Sequence, residues 1–453
     1  MTQPLPLRDY QTTDLAFLLA KERALLLHDP GGGKTPTACV WLYFQAAFRQ
    51  KRSIWVMPKS LFGKNQDELL RFTNFTPDAI AIIQTQNDLI RALNDQRVMV
   101  YLMTADRLRM SWTNMFERSY DIDAIAADEP HMYWSTNSSK RTQAFYQVAK
   151  RCRYFLGMTG TLITGRLDSA YPMIHAIEPR YYPSYEAFMA HHAVMDDYGR
   201  AMAWTNTDRI VEILSRHAIR RSFESIYGKE AKVVIAERVE MSPKQRQSYE
   251  EFEEKAVLEL EEDFLQGATG GVFTLRCRQI MAHPETWGLA EGEKTGKDEL
   301  LEVHLANHQR TGKPLVIYAA LVPEQERIAR LVRSLGMTVG LLNGNVSGAN
   351  RQEIDRLFRA GDIQVIVGSP AVATVGFNWD HCDHVVFVSV DYRADTFTQA
   401  YRRCVRGVRS TPLLITVLEY EDSIDQRMFS ILKRKSELES RVNTDREVID
   451  LSA

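Results

Sequence analysis

Short apolar runs alternate with stretches of helical spacing along the first half of the chain: residues 24–27, 53–57, 98–103, 122–127 and 153–158 are separated by polar and amphipathic segments. Near-continuous apolar runs of this length, divided by helices, predict strands of a parallel sheet covered on both faces. The same rhythm returns at residues 314–319, 339–342, 364–367, 384–388 and 413–417. The pattern predicts an α/β protein of two lobes, residues 1–228 and 229–453. Between the two series, residues 242–264 are acidic and carry Tyr249, Phe252, Ala256, Val257 and Leu260 three or four apart, which predicts a helical insertion over about 241–295. Its glutamates read as a solvated helix face rather than a dock for a basic partner. Residues 266–271 read as a Gly-rich turn and residues 433–447 as an exposed charged helix.

Composition narrows this picture. At 453 residues, with 45% hydrophobic and 25% charged side chains, the chain is long enough for two or three ordinary domains. A formal net charge of −2 excludes a broad basic field and leaves room for a local basic groove. Cys39, Cys152, Cys277, Cys382 and Cys404 stand singly, without zinc-ligand spacing, and read as reduced thiols. No run reaches the length of a bilayer span and residues 1–4 lack a secretory pattern, so a cytoplasmic protein without membrane contact is expected.

Two segments carry the chemistry. The first, Asp29-Pro30-Gly31-Gly32-Gly33-Lys34-Thr35, follows an apolar run and precedes a helical stretch, the place for a phosphate-cradling turn. Gly31, Gly32 and Gly33 let backbone amides approach the phosphates of ATP, Lys34 balances their charge, and the Thr35 hydroxyl is the expected Mg²⁺ ligand. The strict pattern asks for glycine where this chain has His28. The second segment, Asp128-Glu129-Pro130-His131, ends the apolar run 122–127. Asp128 is expected to hold Mg²⁺ and Glu129 to orient and deprotonate water, with His131 coupling rather than catalysing. Met132, Tyr133 and Trp134 next to it read as lobe packing rather than base stacking.

The order of these and further segments resembles the Swi/Snf family of DNA-dependent ATPases, in the second superfamily of helicases and translocases, and the likeness covers nearly the whole chain. It begins at Leu7-Arg8-Asp9-Tyr10-Gln11, where Gln11 is expected to read the adenine edge, and continues through residues 56–61, with Lys59. Residues 138–142, residues 158–163 with Thr159 and Thr161 as coupling residues, and Arg220-Arg221 look like further family signatures. In the second half, Asn343-Gly344 with Arg351, and residues 373–378 with Thr374 and Gly376, are similar to segments that grip nucleic acid, while Gly376 is also counted with the nucleotide-binding residues. Residues 399–407 resemble the family's Q-A-x-G-R-x-x-R-x-G box, with Gln399 as a coupling residue and Arg402 in place of the usual glycine.

The resemblance implies two RecA-like lobes with ATP between them, Arg403 and Arg406 reaching the γ-phosphate, and Lys59, Lys64, Thr104, Asn343 and Thr374 meeting nucleic acid. It implies ATP-driven translocation along duplex DNA. A monomer when unbound is expected, with targeting from the lobes, the insertion or a protein partner, and the compact chain, without a recognisable reader, nuclease or zinc module, suits a bacterial or viral source. A strand-separating or branch-migrating helicase of the same superfamily stays open, as does a nucleotide-dependent protein scaffold with little turnover.

Overall fold

The computed structural model describes residues 3–119, 121–164, 166–196, 201–228, 231–266, 271–282, 293–373, 377–390, 394–405 and 409–432. The chain divides into two compact units after Gly228.

In the first unit the strands are β1 (Arg23–His28), β2 (Arg52–Val56), β3 (Ile80–Ile82), β4 (Val100–Met103), β5 (Ile122–Asp128), β6 (Tyr154–Met158), β7 (Ala193–Met195), β8 (Ala201–Trp204) and β9 (Ala218–Arg221). Seven of them form one sheet in the order β3-β4-β2-β5-β6-β1-β9, and every pairing in it is parallel. β7 and β8 pair apart from it as an antiparallel hairpin. The apolar runs read from the sequence become the buried central strands: Leu25, Leu26, Ile54, Val56, Ile125 and Phe155 are at most 1% exposed. Helices cover the sheet, among them α1 (Asp9–Leu19) and α2 (Lys34–Ala47). Because all seven strands run the same way, the loops leaving β1, β5 and β6, together with the end of β9, emerge along one edge. Ligands of open α/β sheets bind at that edge.

The second unit repeats the architecture with β10 (Lys232–Val239), β11 (Leu315–Tyr318), β12 (Val339–Leu342), β13 (Val365–Gly368), β14 (His384–Phe387) and β15 (Leu413–Tyr420), all parallel, in the order β10-β15-β14-β11-β13-β12. The predicted insertion is helical over Pro243–Gln266 and Val272–Ala282, and the two helices pack together. Tyr249, Ala256, Cys277 and Ile280 are fully buried. Glu250, Glu251 and Glu254 are exposed, as a solvated face requires. All five cysteines are free and buried.

Candidate active site

The turn between β1 and α2 takes its shape from two glycines in the left-handed region, Gly31 at φ 87° and Gly33 at φ 71°, which L side chains adopt at a cost. Space makes the same demand. A Cβ on Gly33 would stand 2.7 Å from Gln11 Nε2, and one on Gly32 would stand 2.9 Å from the Asp29 carbonyl oxygen.

The carbonyls of this loop are tied back one after another. Lys34 Nζ donates to the His28 carbonyl at 3.0 Å, Tyr227 Oη to Gly31 at 3.3 Å, Tyr10 Oη to Gly32 at 3.3 Å and Gln11 Nε2 to Gly33 at 2.9 Å. His28 Nδ1 also meets the Gly32 carbonyl, at 3.0 Å. With its acceptors held by protein donors, the loop presents the opening of α2, whose first amides have no intrahelical acceptor, to an anion. Gln11 is committed at both ends, since its Oε1 accepts the Arg8 amide at 2.9 Å, and it is 4% exposed. Here it braces the phosphate loop instead of presenting an open edge to a base.

The acidic box closes on this loop. Glu129 adopts φ 46°, ψ 55°, anchored by its amide donating to Met158 at 2.8 Å. One carboxylate oxygen lies 3.1 Å from Lys34 Nζ, and the other accepts the Thr159 hydroxyl at 2.7 Å. His131 Nδ1 stands 2.9 Å from Thr159 Oγ1 and 3.5 Å from Glu129 Oε2, and the Thr161 amide donates to Thr159 Oγ1 at 3.0 Å. Lys34, Glu129, His131, Thr159 and Thr161 thus form one connected cluster. Burial works to raise the Glu129 pKa, but the charges of Lys34 and His131 outweigh it and hold the carboxyl below its usual range. Asp128 is pushed the other way: burial first, then the Glu129 charge, raise it to about 6 against the pull of Lys34 and Lys64. The neighbouring aromatics pack the lobe, as expected. Trp134 is fully buried and stacks on Phe145 with ring centroids 3.9 Å apart, and the Tyr133 hydroxyl donates to the Asp128 carbonyl. Met132 is half exposed.

Of the residues expected to meet nucleic acid, Lys59 is exposed and Lys64 half-buried. Thr104 spends its hydroxyl as an N-cap, accepting the Arg107 amide at 3.2 Å. Beside it a cavity of about 380 Å³ is lined by Arg109, Met132, Ser135, Thr136, Lys140 and the Asp106–Arg141 ion pair, among others. In the second unit Asn343 is not open to solvent. It is 2% exposed, its side chain accepts the Asn345 amide at 3.0 Å and its carbonyl accepts Arg351 at 3.0 Å, so it shapes a turn. Gln399 is buried on the helix Ala394–Tyr401. Arg403 follows in a turn, half-buried, its carbonyl accepting the Trp379 amide at 2.8 Å. Arg402 stays out of the left-handed region, so the turn has no need of the usual glycine. Thr374, Gly376 and Arg406 lie outside the described residues.

Residues 10–286 match the SNF2-related domain family. The chain belongs to that family. Residues 296–408 match the helicase conserved C-terminal domain and lie within the second unit, whereas the first match spans the first unit and runs on past Gly228 into the second. Among curated relatives, a Caenorhabditis elegans chromodomain-helicase-DNA-binding protein 3 homolog is 22% identical over 70% of this chain and 18% of its own length. The Danio rerio chromodomain-helicase-DNA-binding protein 1-like is 22% identical over 94% of this chain and 42% of its own. The chain therefore spans less than half the length of either. The helicase domain of Pyrococcus furiosus Hef shares the fold, with a TM-score of 0.56 at 14% identity, over 94% of this chain and 97% of that one.

Against the Swi/Snf pattern, one residue gains a role that the sequence did not signal, and it joins two that the sequence had singled out, His28 and Arg221. Asp14 is buried on α1, accepts a forked contact from Arg221 (Nε to Oδ1 2.8 Å, Nη2 to Oδ1 2.7 Å), and lies 3.0 Å from His28 Nε2. No local motif links residues so far apart in sequence, and only the adjacency of β1 and β9 brings them together.

Proposed function

We propose that this chain is an ATPase stimulated by duplex DNA and that it couples hydrolysis to translocation along the duplex. The observation that carries this reading is the Lys34–Glu129–Thr159–His131 cluster, closed over a loop whose carbonyls are tied back. Lys34 neutralises charge on the phosphates, Glu129 orients the attacking water and takes its proton, and Thr159 with His131 senses the state of Glu129. The donor set suits a small hard cation: one buried carboxylate, Asp128, whose pKa is raised by burial first and by the Glu129 charge second, and the Thr35 hydroxyl in the first turn of α2. Those two residues would hold Mg²⁺, which when bound with ATP spreads the charge of the phosphoryl oxygens. Arg403 and Arg406 are the arginines that the Swi/Snf resemblance assigns to the γ-phosphate.

DNA as the polymer rests on the Swi/Snf family and on the names of the relatives. A place for its phosphates is offered by the concavity with Arg109 and Lys140. Phosphate release from ATP, compared with no polymer, duplex DNA, single-stranded DNA and RNA, tests the proposal. Stimulation chiefly by duplex, together with displacement of a triplex-forming strand, is the expected result. Turnover indifferent to every polymer would overturn it.

A further inference from the structure

The short helix Phe223–Tyr227 is fastened to the phosphate loop at both ends. At its start the Phe223 amide donates to Asp29 Oδ2 at 3.0 Å, while the Asp29 amide donates to the Arg221 carbonyl at 3.1 Å. At its end the Tyr227 hydroxyl meets the Gly31 carbonyl at 3.3 Å and Arg8 Nη1 at 2.7 Å. A guanidinium can only donate, so the one hydroxyl hydrogen of Tyr227 is committed to Gly31. Between the two ends Ile226 lies against the loop, its Cδ1 3.3 Å from where a Cβ on Gly32 would stand. Phe223 is 2% exposed and packs on the Tyr227 ring with centroids 4.9 Å apart, which seats the helix in the first unit.

The residue after the helix is as constrained. Gly228 ends it at φ 81°, its amide donating to the Glu224 carbonyl at 2.9 Å. A Cβ there would meet nothing within 4 Å, so backbone conformation rather than crowding calls for glycine. The chain passes from the first unit to the second after this residue. We propose that Tyr227 is a positioning residue for the phosphate loop, and that the Phe223–Tyr227 helix carries the state of the loop to Gly228, where the chain leaves the first unit. Phosphate oxygens repel the Gly31 carbonyl oxygen, and the side away from them is the side of the Tyr227 hydroxyl. Bound phosphate therefore tightens the Tyr227 tie, and by linkage the tie strengthens phosphate binding by the same factor. A tighter tie holds the last turn of the helix and, with it, the Gly228 amide.

This role rests on the loop binding nucleotide phosphates, and the test separates the two ideas. On the full chain, amide hydrogen exchange of residues 29–35 and 223–228 is followed in the wild type and in Tyr227→Phe, with and without Mg·ADP. Affinity for fluorescent Mg·ADP is measured in both, and thermal melting confirms that each is folded. We expect Mg·ADP to slow exchange at Gly228 about threefold to tenfold in the wild type, as for one hydrogen bond, and to leave it unchanged in Tyr227→Phe. Affinity for Mg·ADP should fall in Tyr227→Phe by a similar factor. A weaker affinity with the Gly228 response intact would make Tyr227 a structural residue only and overturn the role. So would a wild type whose loop amides respond to Mg·ADP while residues 223–228 do not, an outcome that needs no variant. If no amide of the loop responds to Mg·ADP, the function proposed above fails. The nucleotide-free comparison then still decides whether the hydroxyl holds the helix: Tyr227→Phe should exchange faster at Gly228 than the wild type, and equal rates overturn the role.

Discussion

Lys34 Nζ and Glu129 Oε1 stand 3.1 Å apart, joining the phosphate loop after β1 to the acidic end of β5 across the strand between them. Phosphate oxygens arriving at Lys34 would compete for its ammonium and release Glu129 to take up a water. On the proposed function, the pair would link nucleotide arrival to the readiness of Glu129 as base. Glu129→Gln keeps the shape and the left-handed backbone while removing the base. Phosphate release should fall by about 10²–10⁴-fold with nucleotide affinity within a few-fold of wild type. A variant retaining a tenth or more of wild-type turnover would show that Glu129 is not the base.

Thr159 has one hydroxyl hydrogen and two acceptors at 2.7 Å, Glu129 Oε2 and the Thr161 carbonyl. It cannot serve both fully, so its hydroxyl is divided between the acidic box and the segment that follows β6, as a coupling residue would require. Thr159→Val preserves volume and removes the hydroxyl. We expect about 1–2 kcal/mol lower stability, from the donors of Thr161 and His131 left unpaired, and loss of most DNA stimulation with unstimulated turnover less affected. Equal losses in both rates would leave Thr159 a structural residue only.

Arg403 follows the helix that carries Gln399, held by its backbone to Trp379 at 2.8 Å. If its guanidinium stabilises charge in the transition state, Arg403→Ala should lower turnover by about 10³-fold while ADP affinity stays close to wild type. Loss of ADP binding in step with turnover would assign it to ground-state binding instead.

Arg109 and Lys140 line the concavity beside Thr104. Each phosphate contact removed should flatten the dependence of log affinity on log salt by about 0.9, so Arg109→Ala with Lys140→Ala should lower the slope for duplex DNA by about 2. An unchanged slope with weaker binding would place DNA elsewhere on the protein.

The strands legible in the sequence were, β12 apart, those whose apolar runs are almost wholly buried. The missed ones lack that signature: β10 has Val233, Val234 and Ile235 40–47% exposed on an edge, β3 spans only Ile80–Ile82, and β9 ends in Arg220 and Arg221. The nearness of Lys34 and Glu129 was readable because the Gly-rich loop and the acidic box each follow an apolar run, and a parallel sheet gathers the loops that leave its strands. Gln11 and Asn343 were assigned through the Swi/Snf resemblance, to adenine and to nucleic acid, and in the structure both are buried and bonded to backbone groups of the protein itself. Asp14 was invisible for the opposite reason. Its partners His28 and Arg221 lie on neighbouring strands far apart in sequence, and no periodicity encodes that pairing.

The second unit carries a buried chain of neutral histidines with a consequence for acid stability. His308 Nδ1 faces the Lys313 carbonyl at 3.0 Å and must donate, so its Nε2 accepts from His384 Nδ1 at 2.8 Å, and His384 Nε2 in turn accepts the Thr416 hydroxyl at 2.9 Å. A further proton would place a charge in a buried site beside a second imidazole. Burial, then His308 and His304, push the His384 pKa down to about 3. A histidine with a depressed folded pKa binds fewer protons folded than unfolded, so its stabilising effect is complete above the ordinary value near 6.5 and is lost as pH falls toward 3. This group alone should cost about 2 kcal/mol between pH 6.5 and pH 5. Denaturant unfolding over that range should therefore show a steeper fall in the wild type than in His384→Asn, by close to one proton at the lower end. Equal slopes would mean that His384 is not the group taking up the proton.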